Sequence, residues 1–193
     1  MRIGLTGGIG AGKSAVARIF EDLGAFIVDT DALAREAVAP NSDGLMEIAR
    51  AWPQVVRTGA LDRAALGEIV FNDPSARERL NAILHPHIRR LAMERDALAK
   101  TGQLVVHVVP LLFETGYDDL VDKTVVVFAP EDQRVARVLM RDRIDEAHVR
   151  ARMAAQIDPE RARERADLVI ENDGNLVHLR ERTRDVYQQL TQA

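Results

Sequence analysis

The sequence predicts an α/β fold of three layers, α/β/α, built on a five-stranded parallel sheet and carrying two added helical segments. Three observations lead there. Short Val-rich apolar runs recur along the chain, of the kind that parallel strands buried on both faces require. Helical stretches separate them, and alternation of this kind implies a parallel sheet with right-handed crossovers. The first run is followed at once by GGIGAGKS, residues 7–14, a glycine-rich turn that opens a helix.

Taken in order, RIGLT (2–6) is an apolar run stopped by glycines. In SAVARIFEDLG, Val16, Ile19, Phe20 and Leu23 fall at helical spacing, and Gly24 is the expected C-cap. AFIV (25–28) reads as the second strand and runs into the acidic DTD, Asp29 and Asp31. LVVHVVPLLF from Leu104 and KTVVVFAP from Lys123 are the third and fourth, and DLVIEN (167–172) is the fifth. Between the second and third strands lies a helix-rich insertion with LDRAALGEIVF and DPSARERLNAIL, where Asp73 and Pro74 suit an N-cap and a first-turn proline. Between the fourth and fifth, nine of the residues from 134 to 165 are arginine: 134, 137, 141, 143, 150, 152, 161, 163 and 165.

Composition narrows the function. With 193 residues, 47% of them hydrophobic, the chain can bury a full core. No run approaches the roughly 18 apolar residues of a membrane span, and MRIGLTGG is interrupted too soon to be a signal segment. A soluble, cytoplasmic protein is expected. Without cysteine there is no disulfide framework and no thiolate nucleophile or metal site. A net charge of −4 argues against a general nucleic-acid binder, whereas a small anionic ligand needs only local positive charge. Lysine occurs only at 13, 100 and 123, so its presence inside the opening loop stands out from the background.

Gly7, Gly12, Lys13 and Ser14 satisfy G-x-x-x-x-G-K-[ST], the P-loop pattern, in its proper setting after a strand and before a helix. Glycines let successive N–H groups curl around a phosphate, and the helix start adds free donors and a positive dipole end. Gly8, Ile9, Gly10, Ala11, Gly12, Lys13, Ser14 and Ala15 are the expected nucleotide contacts. Lys13 reaches the β- and γ-phosphates, and the Ser14 hydroxyl is the expected ligand of Mg²⁺. Residues 10–15 also match the dinucleotide fingerprint G-x-G-x-x-G/A. That pattern, however, places its glycines directly after the strand and gives a Lys-Ser pair no role.

A P-loop alone admits GTPases, motor ATPases and small-molecule kinases. The guanine-reading N/T-K-x-D motif and the D-x-x-G switch of GTPases are both absent from the sequence. A kinase needs an acceptor region, a group to deprotonate the acceptor hydroxyl and mobile cations over the transferring phosphoryl group. The helical insertion, Asp31 and the arginine-rich segment answer to these in turn.

TGGIGAGKS, VDTDALAREAV, LDRAALGEIVF, LHPHI, VVPLLFE, MRD with a downstream AAQ, and ADLVIENDG follow one another across nearly the whole chain, and in this order they resemble dephospho-CoA kinase. The resemblance implies a cytoplasmic transferase with ATP and dephospho-CoA as small-molecule partners and no nucleic-acid or membrane partner; the oligomeric state is left open, a monomer being compatible with the sequence. It implies a core of residues 1–30, 101–133 and 166–193, a helical CoA-binding region 31–100 and a lid 134–165. It makes Asp31 the base, with Lys13 and Arg141 as the other catalytic groups and Asp29 a partner of Mg²⁺-bound water. His85 (beside Pro86), Pro110, Leu111, Leu112 and Glu114 are acceptor-site residues by the same comparison, with His87 unassigned. Arg141, Arg137 and, less directly, Arg152 reach ATP phosphates; Gln156 lies near the lid hinge and Asn172 near the base. The third strand ends without an acid, so Mg²⁺ rests on Ser14, ATP and waters. Where the lid reads RDRIDEAHVRARM, relatives more often show glycine and a serine or threonine near Arg143 and Asp145; Asp145 still suits a helix cap. A nucleoside- or shikimate-type kinase and a noncatalytic ATP-binding module are the alternatives.

Overall fold

The computed structural model describes residues 1–142 and 145–192. Strand β1 (Arg2–Thr6) leads through the glycine loop into α1 (Lys13–Asp22), and β2 (Phe26–Asp29) follows. Helices α2 (Thr30–Ala37) and α3 (Asp43–Ala51), short strands β3 (Val56–Arg57) and β4 (Ala60–Leu61), and helices α4 (Arg63–Asn72) and α5 (Pro74–Asp96) come next. The remainder is β5 (Val105–Val108), β6 (Lys123–Phe128), α6 (Glu131–Asp142), α7 (Glu146–Ala154), α8 (Pro159–Arg165), β7 (Leu168–Glu171) and α9 (Leu176–Gln192). The chain divides into a sheet unit, residues 1–29 and 99–193, and a helical unit, residues 30–98.

In the sheet unit the five expected strands form one sheet in the order β2-β5-β1-β6-β7, and every neighbouring pair is parallel. Its register brings the strand ends to one edge: Asp29 lies opposite Val108, Thr6 opposite Val126, and Phe128 opposite Glu171. Side chains alternate across the sheet, so Ile3, Leu5, Val106, Val125, Val127 and Ile170 share a core with Val16, Ile19 and Phe20 of α1 and Leu179, Val186 and Leu190 of α9. At the opposite edge Asp167 ties β6 to β7, accepting from the Thr124 N–H and hydroxyl, both at 2.8 Å. β5 stops sooner than its apolar run suggests: Pro110 has no N–H to give a ladder, and residues 110–116 form turns.

In the helical unit α5 is the axis on which α2, α3 and α4 pack, around Val38, Ile48, Trp52, Val55, Leu66 and Ala76. The chain marks the helix starts itself. Ser42, Asp62 and Asp73 each accept a backbone N–H of the following first turn, and Pro74 follows Asp73 as expected. α5 continues through Pro86, so LHPHI lies inside a helix. The β3–β4 hairpin was not legible from periodicity; its turn places Thr58 and Gly59 at φ 50° and 78°, the pair of positive angles that a two-residue turn needs.

Candidate active site

The glycine loop takes its shape from conformations that side chains resist. Gly10 and Gly12 have φ of 77° and 105°. A Cβ on Gly10 would lie 2.5 Å from the Arg134 carbonyl oxygen, and one on Gly12 would lie 2.3 Å from the Asn172 amide nitrogen. Gly12 is also the N-cap of α1 and brings no side chain to cap its first turn, and the positive dipole end of a helix start favours an anion. The Ala11 N–H closes the loop on the Gly8 carbonyl at 3.0 Å. Lys13 Nζ donates to the Gly7 carbonyl at 2.6 Å, so the ammonium lies across the mouth of the loop. Ser14, one residue on, is exposed.

Groups far along the chain grip the loop. Asn172 Nδ2 donates to the Ala11 carbonyl at 2.7 Å, and Arg137 Nη1 donates to the Gly10 carbonyl at 3.3 Å while its Nη2 donates to the Asn172 carbonyl at 3.0 Å. Arg134 Nε donates to the Ile9 carbonyl at 2.9 Å, and Gln156 Oε1 accepts the Ile9 N–H at 2.8 Å. Beneath the loop is a cavity lined by Gly7, Gly8, Ala11, Pro110, Arg134 and Gln156 among others.

Arg134 corrects the sequence reading. Apart from Arg137, Arg141 and Arg152, most arginines of 134–165 read as solvated helix faces, and none of the rest is singled out by sequence, yet Arg134 is only 4% exposed, and burial pushes its pKa down, opposed by the charge of Glu131. Charge density hides such a residue, because nothing local separates a buried arginine from its solvated neighbours. Arg141 lies on the surface, its guanidinium bonded in a fork to the adjacent Asp142 at 2.6 and 2.9 Å; that bond raises the Arg141 pKa and holds the Asp142 carboxyl below its usual range. Arg152 Nη1 is 3.6 Å from the same carboxylate. Arg143 lies outside the described residues. Asp145 caps α7, accepting from the His148 N–H at 2.9 Å.

Pro110 reaches the cavity beside the loop, and Leu111 is exposed. Leu112, expected to line the acceptor pocket, has no exposed surface and packs on Gly4, where a Cβ would lie 2.8 Å from its Cδ1; it is a core residue. Glu114 Oε1 accepts the Ile157 N–H at 2.9 Å, joining the turn after β5 to the segment before α8. Asp29 ends β2 at the carboxyl edge of the sheet.

In the helical unit, Asp31 is the second residue of α2, in its first turn, with its surface exposed. His85 is half-buried on α5, and burial, followed by the charge of Arg89, lowers its pKa. His87 is bonded to Glu47 at 3.2 Å, which accounts for it structurally.

Comparison with known proteins agrees with this architecture. The profile of the dephospho-CoA kinase family matches residues 1–178. The chain is 44% identical over 192 residues to a dephospho-CoA kinase of Thermobifida fusca (strain YX), which covers 98% of this chain and 96% of that one. A solved structure from Thermus thermophilus is 39% identical with a TM-score of 0.88, covering 98% of this chain and 97% of that one. A dephospho-CoA kinase from Campylobacter jejuni is 29% identical with a TM-score of 0.74, covering 99% and 97%. A glycine loop set for phosphate at the head of a parallel sheet, with this likeness running almost from end to end, places the chain in the dephospho-CoA kinase family of ATP-dependent P-loop kinases.

Proposed function

We propose that the protein works in the cytoplasm, moving the γ-phosphoryl group of ATP to the ribose 3′-hydroxyl of dephospho-CoA to give coenzyme A and ADP, the last step of coenzyme A synthesis. The observation that carries the reading is the glycine loop, closed on itself and braced from three distant elements, in a chain matched to this family over residues 1–178. Among the described residues no helix is long and apolar enough to cross a membrane.

In this reading the loop of residues 8–15 surrounds the triphosphate and its backbone N–H groups not bonded within the loop or to Gln156 donate to it, while Lys13 exchanges the Gly7 carbonyl for phosphate oxygens. The Asp31 carboxylate orients the 3′-hydroxyl and takes its proton as the oxygen bonds to the γ-phosphorus. The bond from that phosphorus to the β-bridging oxygen breaks, and ADP leaves with the electron pair. Arg141, freed from Asp142, and Arg137 neutralise charge on the phosphoryl oxygens, for which guanidinium forks are suited. His85, Pro110, Leu111 and Glu114 contribute to the acceptor side, and Asn172 to the adenine side.

The donor set fits Mg²⁺ held largely by substrate. Among the described residues no group of three His, Asp or Glu side chains is placed to hold a metal, while the exposed Ser14 hydroxyl and the Asp29 carboxylate lie at the sheet edge that bears the loop. That is the arrangement of an ion coordinated by phosphates and waters with few protein ligands. An Mg²⁺ ion held through the Ser14 hydroxyl, with Asp29 acting on its waters, would supply charge neutralisation to the phosphates.

The test is ADP release with Mg·ATP in the presence of dephospho-CoA, adenosine, shikimate or no acceptor, with the product weighed by mass spectrometry. Release that depends on dephospho-CoA, with a product heavier by one phosphoryl group, is expected. Release with shikimate or adenosine alone would assign a different acceptor, and ATP binding without release would make the protein a nucleotide-binding module.

A further inference from the structure

We propose that Arg134 and Gln156 are positioning residues for phosphoryl transfer, acting through the Ile9 peptide, by which the arginine-rich segment holds the phosphate loop. The inference rests on the transfer from ATP proposed above.

Ile9 is gripped in three ways. Gln156, between α7 and α8, accepts its N–H at 2.8 Å. Arg134, in the first turn of α6, donates to its carbonyl at 2.9 Å. The Ile9 side chain packs into the cluster of Val135, Val138 and Val149, with Leu139 and Met153, that joins α6 to α7. Arg134 also meets the loop on both sides of Ile9: a Cβ on Gly8 would lie 2.3 Å from its Nη2, and one on Gly10 would lie 2.5 Å from its carbonyl oxygen. The two glycines thus admit Arg134 as well as curving the loop.

None of these groups needs to touch ATP to matter. Ile9 directly precedes the donors of residues 10–14, so a shift of its peptide displaces them together, and a misplacement of about 1 Å far from the chemistry can cost roughly 10²-fold in rate. Gln156 suits the task because its amide accepts a hydrogen bond without bringing a negative charge toward a triphosphate. Lying just past α7, it passes any movement of that helix to the loop.

Two measurements test this on the full chain. The first is kcat and KM for ATP, with melting temperature, in Gln156→Ala, Gln156→Glu and Arg134→Met. Gln156→Ala and Arg134→Met are expected to lower kcat about 10- to 100-fold with KM for ATP changed less than about threefold, the split of an interaction used in the transition state. Gln156→Glu, which keeps the acceptor atom, is expected to recover kcat at saturating ATP to within about threefold of wild type. A kcat for folded Gln156→Ala within about twofold of wild type, or a loss confined to KM, overturns the proposal; this variant decides even where Arg134→Met does not fold.

The second measurement is amide hydrogen exchange without ligand. Gln156→Ala is expected to speed exchange at residues 8–11, and Ile9→Ala at residues 135–142 and 146–153, each about tenfold. Unchanged exchange in both overturns the proposal. If wild type fails to phosphorylate dephospho-CoA, the reading of function falls, and the exchange result alone decides whether the grip exists.

Discussion

Asn172 reaches back across the sequence to donate its amide to the Ala11 carbonyl at 2.7 Å, and the nitrogen that does so fills the space a Cβ on Gly12 would take. The end of β7 and the first turn of α1 are therefore fitted to each other. Asn172→Ala leaves a carbonyl of a residue only 1% exposed without this partner, a loss of about 1–3 kcal/mol. In a chain of this length the melting temperature should fall by roughly 2–4 °C for each kcal/mol, together with a weaker affinity for ATP. Gly12→Ala should cost more, because it adds strain at φ 105°, of order 1–3 kcal/mol, to the displacement of Asn172. Calorimetric unfolding and ATP titration check both; unchanged melting in Asn172→Ala would show that water replaces the bond at no cost.

Lys13 and Asp31 separate binding from chemistry. Lys13→Ala should lower both ATP affinity and turnover, since the ammonium serves the bound and the transferring phosphates alike. Asp31→Asn should keep ATP binding and lose about 10²-fold or more in turnover, the scale of a general base. Titration calorimetry with single-turnover kinetics distinguishes them, and near-normal turnover in Asp31→Asn removes that residue from the base role.

Leu112 tests the division between core and pocket. With no exposed surface, Leu112→Ala should destabilise the protein by about 2–5 kcal/mol and leave KM for the acceptor within about twofold of wild type. Leu111→Ala, at an exposed position, should do the reverse. A denaturant series with acceptor kinetics on both variants reads the difference, and a large acceptor KM change in Leu112→Ala with little lost stability would return that residue to the pocket.

His85 sets a pH dependence of stability. Burial first and Arg89 second hold its folded pKa below the ordinary value, whereas the unfolded chain has the usual value of about 6.5. As pH falls through that value the unfolded chain takes up a proton that the folded one resists, so this contribution to stability is present above about pH 6.5 and is lost below it. His85→Gln should flatten the decline between about pH 7 and pH 5, measured as the urea midpoint at several pH values. Parallel curves for the two proteins would show that the histidine has no such linkage.

Much of the fold was legible because its signals are local. Strands buried on both faces write continuous Val-rich runs, and Gly12, Asp73 and Asp145 mark helix starts with residue types whose backbone chemistry suits them. The β3–β4 hairpin escaped because two-residue strands are too short to show an alternation. Leu112 and Arg134 escaped for a related reason: a leucine in an apolar run and an arginine among many carry no local mark of which way they face.

The sequence by itself determined the parallel sheet, the place and type of the phosphate loop and the family, because each rests on the order and spacing of residues within short stretches. The tertiary structure alone decided what steadies the loop. Arg134, Arg137, Gln156 and Asn172 reach the carbonyls and one N–H of residues 9–11 from more than 120 positions away. Such contacts exist only once β1, β6 and β7 are in register and their ends share one edge of the sheet, for a hydrogen bond depends on distance in space and the spacing of residues along a chain does not specify it.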